Sequence, residues 1–158
     1  MKALFTYGLF ELNKRIRYNE DTIIRLANRG KMNQMKSIVL AGDYGYIRQI
    51  ETTIKSLCCY HEGMLIYVFN QDIPQEWFIN TRKKVKGTGN DLLDIKLLRD
   101  DLRMKWEEST YSHINYMAYA RYFIPEYVKA DRALYLDCDL VVTKNLDHLF
   151  DLDLEDYY

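Results

Sequence analysis

Residues 133–142 read ALYLDCDLVV, and residues 37–46 read SIVLAGDYGY. Both stretches start with a short apolar run, which is typical of a buried strand, and both then change to acidic or glycine-containing residues, which predict a loop. Two further apolar runs of strand length lie between them. Strands are therefore predicted at 37–41, 64–69, 92–98 and 133–136.

The segments between these strands carry helical signals. Apolar residues from Ile47 to Cys58 recur at helical spacing, and Pro74 suits the first turn of a helix. Strands that alternate with helices predict an α/β fold, in which right-handed crossovers build a mainly parallel, Rossmann-like sheet with helices on both faces. Such sheets bind ligands beyond the carboxyl ends of their strands. The predicted helices cover 47–58, 74–85, 100–106 and 109–123, the last of them stopped by Pro125.

The composition limits the class of protein. The 158 residues carry 22 Lys and Arg against 23 Asp and Glu, and the net charge of -1 offers no overall attraction to nucleic acid. No run approaches ~18 apolar residues, so no transmembrane helix is expected. The three cysteines lack CxxC spacing, which favours a reducing, cytoplasmic location and no cysteine-built metal site. We expect one soluble globular domain or a piece of one.

The balanced total charge conceals two unequal ends. Residues 1–36 carry eight basic and three acidic side chains, whereas residues 137–158 carry seven acidic side chains and one Lys. The acidic end begins at a pair of aspartates, which are the first candidates for a functional site.

The N-terminal segment is predicted to be separate from the α/β domain. Apolar residues between Leu9 and Ala27 fall roughly at helical spacing, with basic residues among them. Residues 1–34 are therefore predicted to form a helical N-terminal extension, ahead of a domain over residues 35–158. A loosely docked extension is the preferred interpretation. Peripheral contact with an anionic membrane, or with a partner helix, is the alternative for a basic amphipathic helix.

Asp137 and Asp139 directly follow the last predicted strand. Residues two apart on an extended chain project to the same side, while Cys138 between them points away. Two carboxylates on one side suit a hard divalent cation that keeps positions for phosphate oxygens, and such an ion can neutralise a departing diphosphate. The alternative is two solvated loop acids, although buried strands rarely end in paired acids without a compensating cation or hydrogen bonds.

Arg121 lies on the apolar stripe of the helix predicted before Pro125. Ile114 and Met117 share that stripe at helical spacing. A guanidinium turned toward the interior needs an anionic or hydrogen-bonding partner. A phosphate or nucleotide in the crevice would serve, and so would an internal carboxylate such as Asp137. The residue pattern leaves both open.

Asp43 and Tyr46 follow the first predicted strand of the domain. Asp43 can accept hydrogen bonds from a base or ribose, and Tyr46 can offer a ring for stacking. The structural alternative is a tight turn followed by a helix cap.

Three stretches carry a family resemblance when they are taken in order: SIVLAGDYGYIRQIETTIKSL (37–57), INYMAYARYFIPEYVKADRALYLDCDLVV (114–142) and NLDHLFDLDL (145–154). Together they resemble the front half of a family 8 retaining glycosyltransferase, the group that includes glycogenin and bacterial lipopolysaccharide galactosyl- and glucosyltransferases. The motifs are strand-Ala-x-Asp-x-x-Tyr, a Tyr-Ala-Arg helix and Tyr-Leu-Asp-x-Asp. The resemblance runs from about Lys36 to the last residue.

That resemblance implies a glycosyltransferase A-type nucleotide-sugar-binding fold. It also implies metal-dependent transfer of a hexose from a UDP-sugar, with UDP-glucose or UDP-galactose favoured, to a saccharide or glycoconjugate acceptor. Gly45 departs from the family pattern, because relatives often carry Asn there. The resemblance assigns Ala41, Asp43 and Tyr46 to the uridine, Arg121 to the nucleotide-sugar site, and Asp137 and Asp139 to Mn²⁺ or Mg²⁺ on the diphosphate.

Family members continue beyond the position of Tyr158 into an acceptor site and a His that completes the metal shell. The chain is therefore expected to be a truncated, donor-binding half, and no catalytic residue is assigned. One alternative is a non-catalytic UDP-sugar-binding fragment that self-associates through its unfinished sheet. A second is a haloacid-dehalogenase-like phosphatase, because DCDLV also fits Asp-x-Asp-x-Val after an apolar strand.

Overall fold

The computed structural model describes residues 2–5, 8–11, 35–97 and 116–154. Within them the strands are β1 (Lys2–Phe5), β2 (Gly8–Glu11), β3 (Lys36–Ala41), β4 (Met64–Asn70), β5 (Asp91–Lys96) and β6 (Arg132–Tyr135). The α-helices are α1 (Ile47–Tyr60), α2 (Gln75–Lys86) and α3 (Ile124–Tyr127). Short 3-10 segments cover Tyr44–Tyr46, Tyr116–Phe123 and Asp147–Phe150. The helix predicted at 100–106, and the start of the one at 109–123, lie outside the described residues.

The strands form one sheet in the order β2-β1-β6-β3-β4-β5. All neighbouring pairs are parallel except the edge pair β1 and β2, which is antiparallel. The four strands predicted from the sequence correspond to β3 to β6, with ends that differ by no more than two residues. The prediction of a mainly parallel α/β sheet is therefore confirmed.

Helical segments cover both faces of the sheet, and successive residues of β3 pack alternately against one face and the other. Ile38 and Leu40 belong to the apolar cluster that contains the inner residues of α1 and α2. Val39 and Ala41 belong to the opposite cluster, which contains residues of the 3-10 segment at 116–123 and of α3. Successive strand residues point to opposite faces, so a continuous apolar run such as 38–41 is stable only between two layers of helix.

The first two strands differ from the helical prediction for residues 1–34 over the eight residues that they cover. Residues 2–5 and 8–11 form an antiparallel hairpin, and β1 also pairs in parallel with β6. The helical spacing that begins at Leu9 does not report this pairing, because a strand is stabilised by hydrogen bonds to a partner that is distant in sequence. Residues 12–34 lie outside the described part. The domain boundary before residue 35 stays a prediction.

The helical segment before Pro125 ends at Phe123, where the sequence predicted its end, but a further helical turn follows directly. Residues 116–123 form a 3-10 segment, and Pro125 then occupies the first turn of the single-turn helix α3. Proline is tolerated in a first turn because its missing N–H would have no helical partner there. In the described part of the chain, no helix has the length and apolar character needed to cross a membrane.

His61 ties the segment after β6 to the amino end of the sheet. Its side chain is 1% exposed, and the backbone N–H of Leu146 donates to His61 Nε2 at 3.2 Å. Asp147 Oδ1 lies 3.8 Å from His61 Nδ1 and 2.7 Å from Lys36 Nζ. Burial lowers the pKa of His61 below its usual value, the charge of Asp147 opposes that change, and the charge of Lys36 adds to it. The neutral imidazole is the form that accepts from Leu146.

We expect the free energy of unfolding to decrease as the pH falls below about 6.5. In the unfolded chain His61 takes up its proton at that pH, whereas the folded protein resists protonation, so acid favours unfolding. Urea unfolding at pH 7.5 and 5.5 measures the effect. His61→Gln should reduce the difference between the two pH values. His148→Gln, which changes an exposed histidine, should leave it as in the wild type; an unchanged difference in His61→Gln would contradict the assignment.

Candidate functional site

Two loops meet at the carboxyl edge of the sheet because the strands that carry them are neighbours. The loop after β3 starts at Gly42, whose N–H donates to Phe69 O at 3.0 Å. The loop after β6 starts at Leu136, whose N–H donates to Val39 O at 3.0 Å. A Cβ added at Gly42 would lie 3.0 Å from Ile50 Cδ1 and 3.4 Å from Cys138 Sγ. Glycine therefore lets the two loops and α1 pack closely, a role that the sequence analysis missed.

Cys138 lies at the centre of the acidic residues of this edge. Its side chain is buried in the cluster beneath α1 and α2, so it does point away from the two aspartates that flank it. Burial, together with the charges of Asp139, Asp137 and Asp43, raises the pKa of the Cys138 thiol to about 11. A Cβ at Gly42 would lie only 3.4 Å from Cys138 Sγ, so the loop that carries Asp43 lies against the loop that carries Asp137 and Asp139.

Arg121 reaches the same edge from the opposite face of the sheet. Its Nε donates to Ala118 O at 2.8 Å, and its guanidinium carbon lies 4.9 Å from the centroid of the Tyr135 ring. Burial raises the pKa of Tyr135 to about 12, the Arg121 charge opposes this, and the charge and hydrogen bond of Asp137 contribute to it. Tyr135 therefore contacts both Arg121 of the Tyr-Ala-Arg motif and Asp137, the first aspartate of the pair. Tyr135 was not recognised as a contact of this site from its sequence.

Asp43 has the capping role that was the structural alternative for it. Its Oδ1 accepts from Gly45 N–H at 2.9 Å, and its backbone oxygen accepts from Tyr46 N–H at 3.0 Å. A Cβ at Gly45 would lie 3.2 Å from that same Oδ1. A carboxylate has about four acceptor positions, so capping does not prevent a ligand contact.

The remaining two predicted residues also lie at the carboxyl edge. Ala41 is the last residue of β3 and is 6% exposed. Tyr46 is 41% exposed and immediately precedes α1. Neighbouring Tyr44 is held by its N–H, which donates to Asp72 Oδ1 at 2.8 Å.

The loop after β6 is held by side chains of α1 that the sequence analysis did not single out. The Thr53 hydroxyl lies 2.9 Å from Cys138 O and 2.8 Å from Leu140 O. Ser56 Oγ accepts from Val142 N–H at 2.9 Å. The sequence does show small hydroxyl residues on a helical face that is otherwise apolar. It could not show their hydrogen-bond partners, which lie more than 80 residues away.

The two carboxylates of the loop after β6 suit a hard cation whose remaining coordination positions are filled by a bound ligand. Within residues 35–97 and 116–154, no group of three or more His, Cys, Asp and Glu is arranged to hold a metal ion. Asp137, half-buried, and Asp139, exposed, would together supply two carboxylates. Mg²⁺ and similar ions are commonly bound by one or two carboxylates with substrate phosphates completing the shell. A cavity of about 190 Å³, lined in part by Arg48, lies beside Asp139.

Comparison with known proteins identifies relatives of the chain. A family model described as "Glycosyl transferase family 8" matches residues 37–158. Glycosyltransferase GlyE of Streptococcus pneumoniae is 51% identical over 126 residues, which cover 80% of this chain and 31% of GlyE. Glycosyltransferase GlyA of the same species is 39% identical over 153 residues, which cover 96% of this chain and 20% of GlyA. The chain thus spans about a third or less of these relatives.

Solved structures agree with the sequence comparison. A crystal structure of GlyE matches with a TM-score of 0.65 and 48% identity, covering 80% of this chain and 29% of that one. The galactosyltransferase LgtC, in complex with donor and acceptor sugar analogues, matches with a TM-score of 0.65 and 26% identity, covering 76% of this chain and 44% of that one. Because the family model matches residues 37–158, which include α1, β4 to β6 and both loops of the carboxyl edge, the chain belongs to glycosyltransferase family 8.

Proposed function

We propose that the protein transfers a hexose from a UDP-sugar to a saccharide or glycoconjugate acceptor, with this chain carrying the donor-binding part. The observation that carries the proposal is the contact between the Asp43 loop and the Asp137/Asp139 loop at Gly42 and Cys138, on the neighbouring strands β3 and β6. Parallel α/β sheets bind ligands at this edge, beyond the carboxyl ends of their strands. The complex of LgtC with donor and acceptor sugar analogues supports sugar transfer as the reaction class.

The roles follow from position along the edge. Ala41, Asp43 and Tyr46 lie at and just after the end of β3, where a uridine can accept and donate hydrogen bonds and stack. Arg121 lies on Tyr135 beside Asp137, where a guanidinium can stabilise phosphate oxygens. UDP-glucose and UDP-galactose are the proposed donors.

Asp137 and Asp139 would hold Mn²⁺ or Mg²⁺. When bound, the cation would neutralise negative charge on the diphosphate, which leaves as UDP when its bond to the sugar breaks. The residues of the chain bind and orient the nucleotide. The family match includes the Asp-x-Asp motif within residues 37–158, which favours sugar transfer over the phosphatase interpretation of DCDLV.

Calorimetric titration of the complete protein with UDP in the presence of Mn²⁺ tests the metal assignment. Asp139→Asn should weaken UDP binding at least about tenfold, equivalent to about 1.4 kcal/mol, because a neutral amide is a poorer ligand for a hard cation. EDTA should weaken wild-type binding in the same way. Asp151→Asn makes the same change at an exposed position of the acidic C-terminal segment and should bind like the wild type.

Two results would separate the parts of the proposal. Unchanged UDP binding in Asp139→Asn and in EDTA would remove the metal while keeping the nucleotide. No UDP binding at all in the wild type would remove the donor assignment.

A non-catalytic UDP-sugar-binding protein is the second candidate, because every site residue proposed in this chain has a binding role. Incubation of the complete protein with UDP-glucose, UDP-galactose and their N-acetyl forms distinguishes the two. Release of UDP or transfer to an acceptor supports the enzyme. Metal-dependent binding with neither transfer nor hydrolysis supports the binding protein.

A further inference from the structure

The two aspartates of the proposed metal site are supported in different ways. A single residue, Leu136, separates Asp137 from β6, and its N–H still donates to Val39 O across the sheet. Asp139 lies two residues further, in a loop with no regular secondary structure. The sheet therefore holds the first carboxylate, whereas the second needs support from elsewhere.

Thr53 of α1 provides contacts on both sides of Asp139. Its side chain is fully buried, and its hydroxyl oxygen lies 2.9 Å from Cys138 O and 2.8 Å from Leu140 O. A hydroxyl has a single proton, so the two carbonyl oxygens share it. These oxygens belong to the residues immediately before and after Asp139. Their common donor restrains the peptide groups that set the direction of the Asp139 side chain.

Ser56, one turn further along α1, fixes the end of the same loop. Its hydroxyl donates to Thr53 O at 2.8 Å and accepts from Val142 N–H at 2.9 Å. The loop is thus tied to a helix whose inner residues Ile50 and Leu57 are fully buried. A rigid helix is a better reference for a ligand side chain than the loop itself.

We propose that Thr53 is a positioning residue that sets the orientation of Asp139 toward the bound cation. The inference rests on the proposed function. Thr53 touches neither the cation nor the nucleotide; it acts through the backbone of the loop that carries the ligand. Changes to residues that orient metal ligands commonly reduce metal affinity about 10–100-fold.

Thr53→Val tests the proposal, because valine keeps the shape of threonine and removes its hydroxyl. UDP binding by the complete protein is measured by calorimetry across a series of Mn²⁺ concentrations. The Mn²⁺ concentration at half-maximal UDP binding should rise about 10–100-fold, whereas UDP affinity without metal should stay as in the wild type. Thr53→Ser keeps the hydroxyl and should restore the wild-type midpoint.

Thr81→Val is the matched control. Thr81 is a buried threonine on α2, 8% exposed, and belongs to a different helix from the one that contacts the loop. Its Mn²⁺ midpoint should equal that of the wild type. Provided that the wild type binds UDP in a metal-dependent way, two results would overturn the proposal: an equal shift in Thr81→Val and Thr53→Val, or no shift in Thr53→Val. Metal-independent binding by the wild type would overturn both this inference and the metal assignment.

Ser56→Ala keeps the test decisive if Thr53→Val does not fold. It removes the acceptor of Val142 N–H and leaves the Thr53 hydroxyl in place. A smaller shift of the Mn²⁺ midpoint in the same direction is expected. A wild-type midpoint in Ser56→Ala would then overturn support of the loop by α1.

Discussion

Replacing Phe69 by Ala should lower the free energy of unfolding by about 3–5 kcal/mol. Phe69 is fully buried near the end of β4, and its ring meets that of Tyr127 edge to face, with centroids 5.8 Å apart. β4 lies between β3 and β5, so surrounding strands cannot close the cavity without disturbing their pairing. The loss combines the transfer of the ring to water with the cavity that it leaves.

Urea unfolding followed by circular dichroism measures this effect. Ile79→Ala is the control, because Ile79 is an apolar residue of α2 that is 63% exposed; it should change the free energy of unfolding by no more than about 0.5 kcal/mol. A similar loss in both variants would show that Phe69 does not have the central packing role described for it.

Asn90→Leu should cost about 2–6 kcal/mol through lost hydrogen bonds. Asn90 is 4% exposed at the start of β5. Its Nδ2 donates to His61 O at 2.8 Å, and its Oδ1 accepts from Met64 N–H at 2.9 Å. Leucine is similar in size but leaves both backbone groups unpaired inside the protein, which costs about 1–3 kcal/mol for each of them.

Thermal and urea unfolding of Asn90→Leu give the measurement, with Asn80→Leu as the control. Asn80 lies exposed on α2, so the same substitution there should be close to neutral. Because Asn90 connects β4, β5 and His61, Asn90→Leu should also weaken the attachment of the segment after β6. A loss below about 0.5 kcal/mol would mean that water replaces the amide.

Local hydrophobic patterns predicted the domain core well, because they show whether a strand is buried on both faces or a helix on one. The run Ile38–Leu40 is apolar at every position, which only a strand covered on both faces requires. The recurrence of Ile50, Ile54 and Leu57 reflects one buried face of α1. Neither argument needs knowledge of a distant partner.

The site was predicted in outline for a similar reason. Asp43, Asp137 and Asp139 each follow a strand, and in a parallel sheet all strands end at the same edge. The loops that carry them meet at Gly42 and Cys138 because β3 and β6 are neighbours. The Asp43 cap was one of two alternatives that the sequence left open, and the position of Arg121 on Tyr135 was not among the partners that it offered.

Errors occurred where structure depends on contacts between distant segments. Residues 2–5 and 8–11 form strands because β1 pairs with β6, more than 120 residues away. Pro125 lies in the first turn of α3, which directly follows the 3-10 segment at 116–123. The spacing of apolar residues describes periodicity within one segment. It does not report the pairing of β1 with β6 or the helical turn at Pro125.

The sequence alone determined the α/β class, the four strands from β3 to β6, the family and the acidic pair at 137 and 139, because each depends on a periodicity or a short motif. Tertiary structure alone decided how that pair is held: Asp137 by the sheet and Tyr135, and the loop around Asp139 by Thr53. Hydrogen bonds between residues more than 80 positions apart arise only when helix and sheet pack together, and no local pattern encodes them.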